Sequence, residues 1–239
     1  MRPILTVDLA LKRYQDFGVA VVSRRKDRFQ AELVRWEDAG TPEPSVVAHR
    51  IVQLAHQHDV HLILLDGTQA WKDEDNGLLH CRICEKEMHT PSKTGPPGTC
   101  KPQNYLAFTK STVAIFDALA LSGFPRLAGP PSMSQGKVSI ETFPHRAWRG
   151  LGLPPLPAKT RATRTDISSR WRSLEDRFRL RCEKEPSDDE LQALVSGLAG
   201  IAIQGGSTDG FACSGVAPFI KDGSMREGFI VVPKTPSTV

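Results

Sequence analysis

The chain has 239 residues, 39% of them hydrophobic and 24% charged, the balance of an ordinary globular protein long enough for a substantial core. Its net charge of +4 permits an acidic partner such as nucleic acid without requiring one. No apolar run approaches the roughly 20 residues that span a bilayer. Asp8 and Lys12-Arg13 break the first apolar run too early for a signal peptide, so no membrane partner is expected and a cytoplasmic address follows as the default.

Residues 3–8 read as a buried strand and 17–23 as a second. Residues 28–36 alternate polar and apolar, the period of a strand with one exposed face. Short connections make these three an antiparallel meander. After Pro42 and Pro44, residues 45–58 carry Val46, Val47, Ile51, Leu54 and Ala55 at helical spacing. Residues 60–66 form the continuous apolar run of a central parallel strand. A long segment, 67–104, is poor in apolar residues and rich in Pro, Gly, Lys and Cys, and reads as an insertion into one domain spanning 1–239. A helix is expected over 105–123, a loop over 125–134 and a strand over 137–143. A strongly charged helix should cover 168–183, a buried helix 189–203, and a short strand 228–233.

Four acidic positions lie where these elements meet loops. Asp8 closes the first strand, Asp66 the fourth and Glu141 the fifth, while Asp188-Asp189 opens the last helix. A carboxylate at the end of a buried strand is costly unless something positive pairs with it. Strands side by side would gather these acids at one sheet edge, the oxygen-rich setting that hard divalent cations select and that two-metal phosphoryl chemistry uses. In that reading Asp8, on the central strand, bridges two Mg²⁺ or Mn²⁺ ions; Asp66 and Glu141 each bind one from the flanks, and Asp189 completes the ligand set of the second ion from the helix start. The alternative is that the acids cap loops and pair with Lys or Arg.

Strand order and acid placement look like the ribonuclease H fold: an α/β mixed sheet, with an antiparallel three-strand meander, further parallel strands and flanking helices. Motifs sharpen the likeness. Val7-Asp8-Leu9-Ala10, Leu65-Asp66-Gly67-Thr68-Gln69-Ala70-Trp71, Ile140-Glu141-Thr142-Phe143-Pro144, Lys159-Thr160, Asp188-Asp189-Glu190-Leu191-Gln192-Ala193-Leu194 and Glu227-Gly228-Phe229-Ile230-Val231-Val232-Pro233 follow in order. The set resembles the domain-of-unknown-function 429 (DUF429) family of predicted ribonuclease-H-like nucleases. The resemblance implies a metal-binding, catalytic centre of Asp8, Asp66, Glu141 and an acid near Asp189. Gln192 stands where relatives often carry an acid, on the same helix face as Asp189, which leaves one metal or none as an outcome.

Lys159, after the Pro-rich 151–157, is placed to contact a phosphate or leaving oxygen, with Arg161, Arg164 and Arg170 spaced as a phosphate track or as a solvated charged face. Lys12-Arg13 lies near Asp8 in sequence and is a further contact for the same backbone. Five cysteines (81, 84, 100, 182, 213) are expected as reduced thiols. Cys81, Cys84, His89 and Cys100 supply four zinc ligand types; the competing reading is a helix carrying Arg82 and Glu85 on one face near the active edge. Residues 90–98 read as a flexible lid or plain surface loop beside Asp66, and Trp71 as a core anchor or a base-stacking ring.

Three functions follow. A Mg²⁺- or Mn²⁺-dependent nuclease acting on DNA or RNA leads. A catalytically inactive module binding nucleic acid or protein is the second. A nucleotide-binding phosphotransfer domain is the third, opposed by a single domain copy and no Gly-rich hairpin after Asp8.

Overall fold

A computed structural model describes residues 1–132 and 136–235. The meander is formed by β1 (Ile4–Asp8), β2 (Gly18–Arg25) and β3 (Arg28–Leu33). Helix α1 (Pro44–Gln57) has Pro44 in its first turn, where the missing N–H costs nothing. It leads into β4 (Leu62–Asp66), parallel to β1 and in register, so that Asp8 stands directly beside Asp66. Then come α2 (Ile83–Met88), a small hairpin of β5 (Lys93–Thr94) and β6 (Cys100–Lys101), α3 (Leu106–Leu121) and β7 (Val138–Thr142). The chain continues through α4 (Pro144–Gly150), α5 (Arg164–Phe178), β8 (Leu180–Cys182), α6 (Asp188–Gln204), β9 (Phe211–Lys221) and β10 (Ser224–Pro233). The main sheet has eight strands in the order β8-β3-β2-β1-β4-β7-β10-β9. With the meander antiparallel and β1, β4, β7 and β10 parallel, this is the ribonuclease-H-like arrangement expected from the sequence.

Strand pleat divides the core in two. Leu5, Val7, Ile63 and Leu65 pack beneath α1 and α3, with Ile51, Phe116 and Leu119. Ile4, Leu62, Leu64 and Ile140 face the other way, against Leu191, Leu194 and Leu198 of α6 and Trp148 of α4. Helix α6 approaches the sheet closely because its inner face is small. A Cβ on Gly200 would lie 2.6 Å from Leu64 Cδ1, and Thr6 Oγ1 donates to the Ala193 carbonyl at 2.7 Å.

Several expectations are corrected. The charged helix starts at Arg164, because Thr163 and Asp166 form a capping box, and it stops at Phe178. Residues 180–182 are the edge strand β8, parallel to β3. The final strand starts four residues earlier than expected, at Ser224, and pairs with β9, so the C-terminal region is a long hairpin. Helix α4 was not foreseen. The 67–104 segment is not loose: Gln69, Lys72, Arg82, Glu85 and Thr94 are all buried. Trp71 is an anchor; its backbone bonds to Met225 and Glu227 and its side chain is 8% exposed. The loop expected over 125–134 falls partly outside the described residues. Among the described residues no helix is long and apolar enough to cross a membrane.

Candidate active site

Asp8 and Asp66 end neighbouring parallel strands in register, on the pleat side occupied by Ile4, Thr6, Leu62 and Leu64, which is the α6 side. Their carboxyls lie within hydrogen-bonding reach of one another. Burial, then the charge of Asp66 and the bond to it, push the Asp8 carboxyl well up. Burial raises Asp66 to about 7; the bond from Asp8 works against that, and the charge of Glu141 adds to it. Two buried carboxyls this close titrate as a pair, and burial favours keeping a proton between them.

Helix α6 is seated over this pair. Ser187 caps it by accepting from Glu190 N, while Glu190 answers to the Ser187 N–H, so Asp188 and Asp189 fall in the first turn. Gly18, the register partner of Asp8, sits under the Asp189 carbonyl, and a Cβ there would drive into that oxygen. The glycine sets how near the helix start comes to the acids. Asp188 and Asp189 both raise the Asp8 carboxyl by their charge. Burial raises both of their own carboxyls as well. Asp189 is held by Lys159 Nζ at 2.6 Å, and the same ammonium reaches Asp16 at 3.3 Å. Burial opposes the charge on Lys159, but the bonds to Asp189 and Asp16 outweigh it and leave its pKa raised. Asp188 Oδ2, in contrast, is buried without a hydrogen-bond partner. Gln192 bonds Asp188 and accepts from Trp148 Nε1 at 2.9 Å, so it orients the acid.

Glu141 does not join this group. It lies one residue short of the Asp66 level: Leu65 pairs with Glu141 and Asp66 with Thr142. The pleat therefore turns Glu141 to the opposite side of the sheet, where Ser139 Oγ also donates to the Phe124 carbonyl. There Arg82 grips both of its oxygens at 2.8 and 2.7 Å, and Gln69 N donates at 2.9 Å. Arg82 is fully buried and also bonds Glu85, which accepts from Thr94 N and Oγ1. Burial pushes the Glu141 carboxyl up and Arg82 pulls it down; the ionised pair is the state that leaves no guanidinium N–H stranded. The expectation of Arg82 and Glu85 on one face near the active edge holds. Glu227 ties the segment down by accepting from Asp73 N, Asn76 Nδ2 and Ile83 N.

The zinc expectation is corrected. Among the described residues no three His, Cys, Asp or Glu side chains stand together as a metal-holding group. Cys84 packs in the apolar core with Met88, Cys100 accepts from Thr109 Oγ1, and His89 terminates α2 in a left-handed conformation. All five thiols are free. The same statement bears on the acids. Asp8 and Asp66 are adjacent, Asp189 is drawn off by Lys159, and Glu141 is across the sheet.

Two cavities flank the acids and share Asp66 and Phe143. One, of about 590 Å³, lies over Asp8, Asp188 and Asp189 and carries His145, Lys159 and Arg161 in its walls. The other, of about 490 Å³, contains Glu85, Glu141, Tyr105 and Phe108. Arg13 reinforces the first rim indirectly, through two bonds to Asp16 at 2.9 and 2.7 Å. Arg170 donates to the Pro154 carbonyl, so it braces the Pro-rich strap, and Arg164 opens α5.

No family model matches the chain, and no curated protein matches it. Among solved structures it is similar to the Thermus thermophilus RuvC structure at 12% identity and a TM-score of 0.41, covering 84% of this chain and 97% of that one. It is also similar to T. thermophilus RuvC in complex with Holliday junction substrate, at 11% identity and a TM-score of 0.38, covering 85% and 98%.

Proposed function

We propose that the protein is a divalent-metal-dependent nuclease that hydrolyses phosphodiester bonds of DNA or RNA in the Asp8–Asp66 cleft. One observation carries this reading: two carboxyls stand in register at the ends of adjacent parallel strands, beneath two more acids of a helix start, with cations on the rim of the same cleft. Such crowding of like charge is unfavourable unless a proton or a cation compensates it. The donors are all oxygens, and Asp188 Oδ2 is buried and unpaired, so the set fits a hard cation such as Mg²⁺ or Mn²⁺.

Asp8 and Asp66 would hold that ion as a pair, with Asp188 in the wall of the same cleft but not grouped with them as a third ligand. When bound, it would acidify a water and neutralise charge on the phosphate. Asp189 serves by fixing Lys159, whose ammonium, with the Arg161 guanidinium, would hold phosphate oxygens of the backbone. Gln192 keeps Asp188 oriented from the adjoining turn. Glu141, engaged by Arg82, acts as a positioning residue that anchors the 67–104 segment. The reading therefore has one ion, where the sequence suggested two.

A second reading is a nucleic-acid-binding module without catalysis, favoured by Gln192 in place of an acid and by the neutralised Glu141. Incubation with labelled single-stranded, double-stranded and hybrid substrates plus Mg²⁺ or Mn²⁺ separates the two. Cleavage that disappears in Asp8→Asn and Asp66→Asn supports the nuclease. Binding without cleavage in either metal supports the module.

A further inference from the structure

The cavity beside Glu141 is unlike its neighbour. None of its lining residues is Lys or Arg, so nothing there favours a phosphate. Its walls offer the rings of Tyr105, Phe108 and Phe143. Tyr105 is 37% exposed at the mouth, beside the exposed Asn104 amide. Deeper in lie the carboxylates of Asp66, Glu85 and Glu141, the last two already engaged by Arg82. Thr142 also lines it, 1% exposed, with an Oγ1 that has no hydrogen-bond partner. An aromatic mouth over the Asp66 carboxyl and the unpartnered Thr142 hydroxyl suits a flat, neutral group that stacks and offers a hydrogen bond. The basic cleft, with Lys159 and Arg161, is the complementary half: it suits an anion, and its rings are the shared Phe143 and the His145 imidazole.

We propose that this cavity takes an unstacked nucleobase from the strand whose phosphate lies over Asp8 and Asp66. The inference rests on the nuclease reading and adds a subsite to it. Because Asp66 and Phe143 belong to both cavities, phosphate and base of one strand are served by adjoining walls. Stacking on aromatic side chains is tolerant of sequence, and the unstacking cost is least for a base already single-stranded. The subsite therefore selects single-stranded or locally opened nucleic acid over intact duplex. Asn104 and Thr142 supply the polar contacts at either end of the ring.

The test compares the full chain's affinity for a single-stranded oligonucleotide with that for a strand of equal length in which every nucleotide is abasic, with calcium as the divalent ion. The base-bearing strand should bind about tenfold more tightly, a single base–aromatic stack being enough for that. Tyr105→Ala and Thr142→Val should each remove part of this advantage while leaving affinity for the abasic strand unchanged. Lys159→Ala should weaken both strands alike and reduce the salt dependence. A strand carrying a photoreactive pyrimidine should crosslink to Tyr105, Phe108 or Phe143. Equal affinity for the two strands, with cleavage intact, overturns the subsite and leaves the nuclease standing. Absence of both binding and cleavage overturns both. Adenosine alone binding as tightly as the strand would assign the cavity to a free nucleoside and overturn the strand assignment.

Discussion

Metal-free protein should lose stability as pH rises through about 7, and Asp8→Asn should reduce that loss. Burial raises the Asp66 carboxyl from 3.8 to about 7. A folded-state pKa above the unfolded value means that the folded chain holds its proton more tightly, so the associated stabilisation is complete below the unfolded pKa and disappears as pH rises through the folded one. A shift of about three pKa units corresponds to about 4 kcal/mol. Water entering the open cleft screens part of it, leaving roughly 2–4 kcal/mol lost between about pH 4 and about pH 8. In Asp8→Asn burial still raises Asp66, but no second charge forms beside it, so the slope is reduced. Urea denaturation in chelator, repeated across that range, measures the effect. Wild type should fall steeply, the variant should fall less and be the more stable above about pH 8, and Mg²⁺ should rescue wild type far more than the variant. Parallel slopes, or a variant weaker than wild type at high pH, would show that the two carboxyls do not share a proton.

Gly18→Ala should cost roughly 2 kcal/mol or more, read as a fall in the urea midpoint, because a Cβ there meets the Asp189 carbonyl and α6 has to move away from Asp8. Arg82→Met strands Glu85 and Glu141 in the interior; a loss of about 3–5 kcal/mol is expected in the same assay, and Arg82→Lys should recover only part of it, since one ammonium cannot reproduce the forked contacts. Lys159→Ala removes a half-exposed ion pair, so stability should change by less than about 1 kcal/mol while cleavage falls; a large drop in melting temperature would refute its placement at the cleft rim. Elemental analysis should find no stoichiometric zinc, and a thiol-directed chelator should leave the melting temperature unaltered, because Cys84 and Cys100 are held by packing and by Thr109.

Much of the sheet was legible because strands and helices with one buried side announce themselves by period. Residues 62–65 are apolar throughout, as a strand covered on both sides must be, and 28–33 alternate, as a strand near the edge does. Two strands escaped for different reasons. Strand β8 has three residues and exists through its contact with the remote β3, whereas β9 pairs with its neighbour β10 although Gly215 and Pro218 interrupt its pattern. The buried order of 67–104 was equally hidden, since it comes from charges meeting charges: Arg82 with Glu85 and Glu141, and Glu227 with three donors, from residues far apart along the chain.

The acids show the same division. Their position at strand ends and at a helix start was written in the local pattern, and so was the identity of Asp8 and Asp66 as neighbours once both strands were parallel and central. Which side of the sheet each acid serves was decided by register. One residue of offset along β7 puts Thr142 at the level of Asp8 and Asp66 and turns Glu141 towards Arg82, because successive side chains of a strand point to opposite faces. The amino-acid order alone set the number and chemistry of the carboxylates; packing of α6 on Gly18 and the pleat of β7 chose which of them meet.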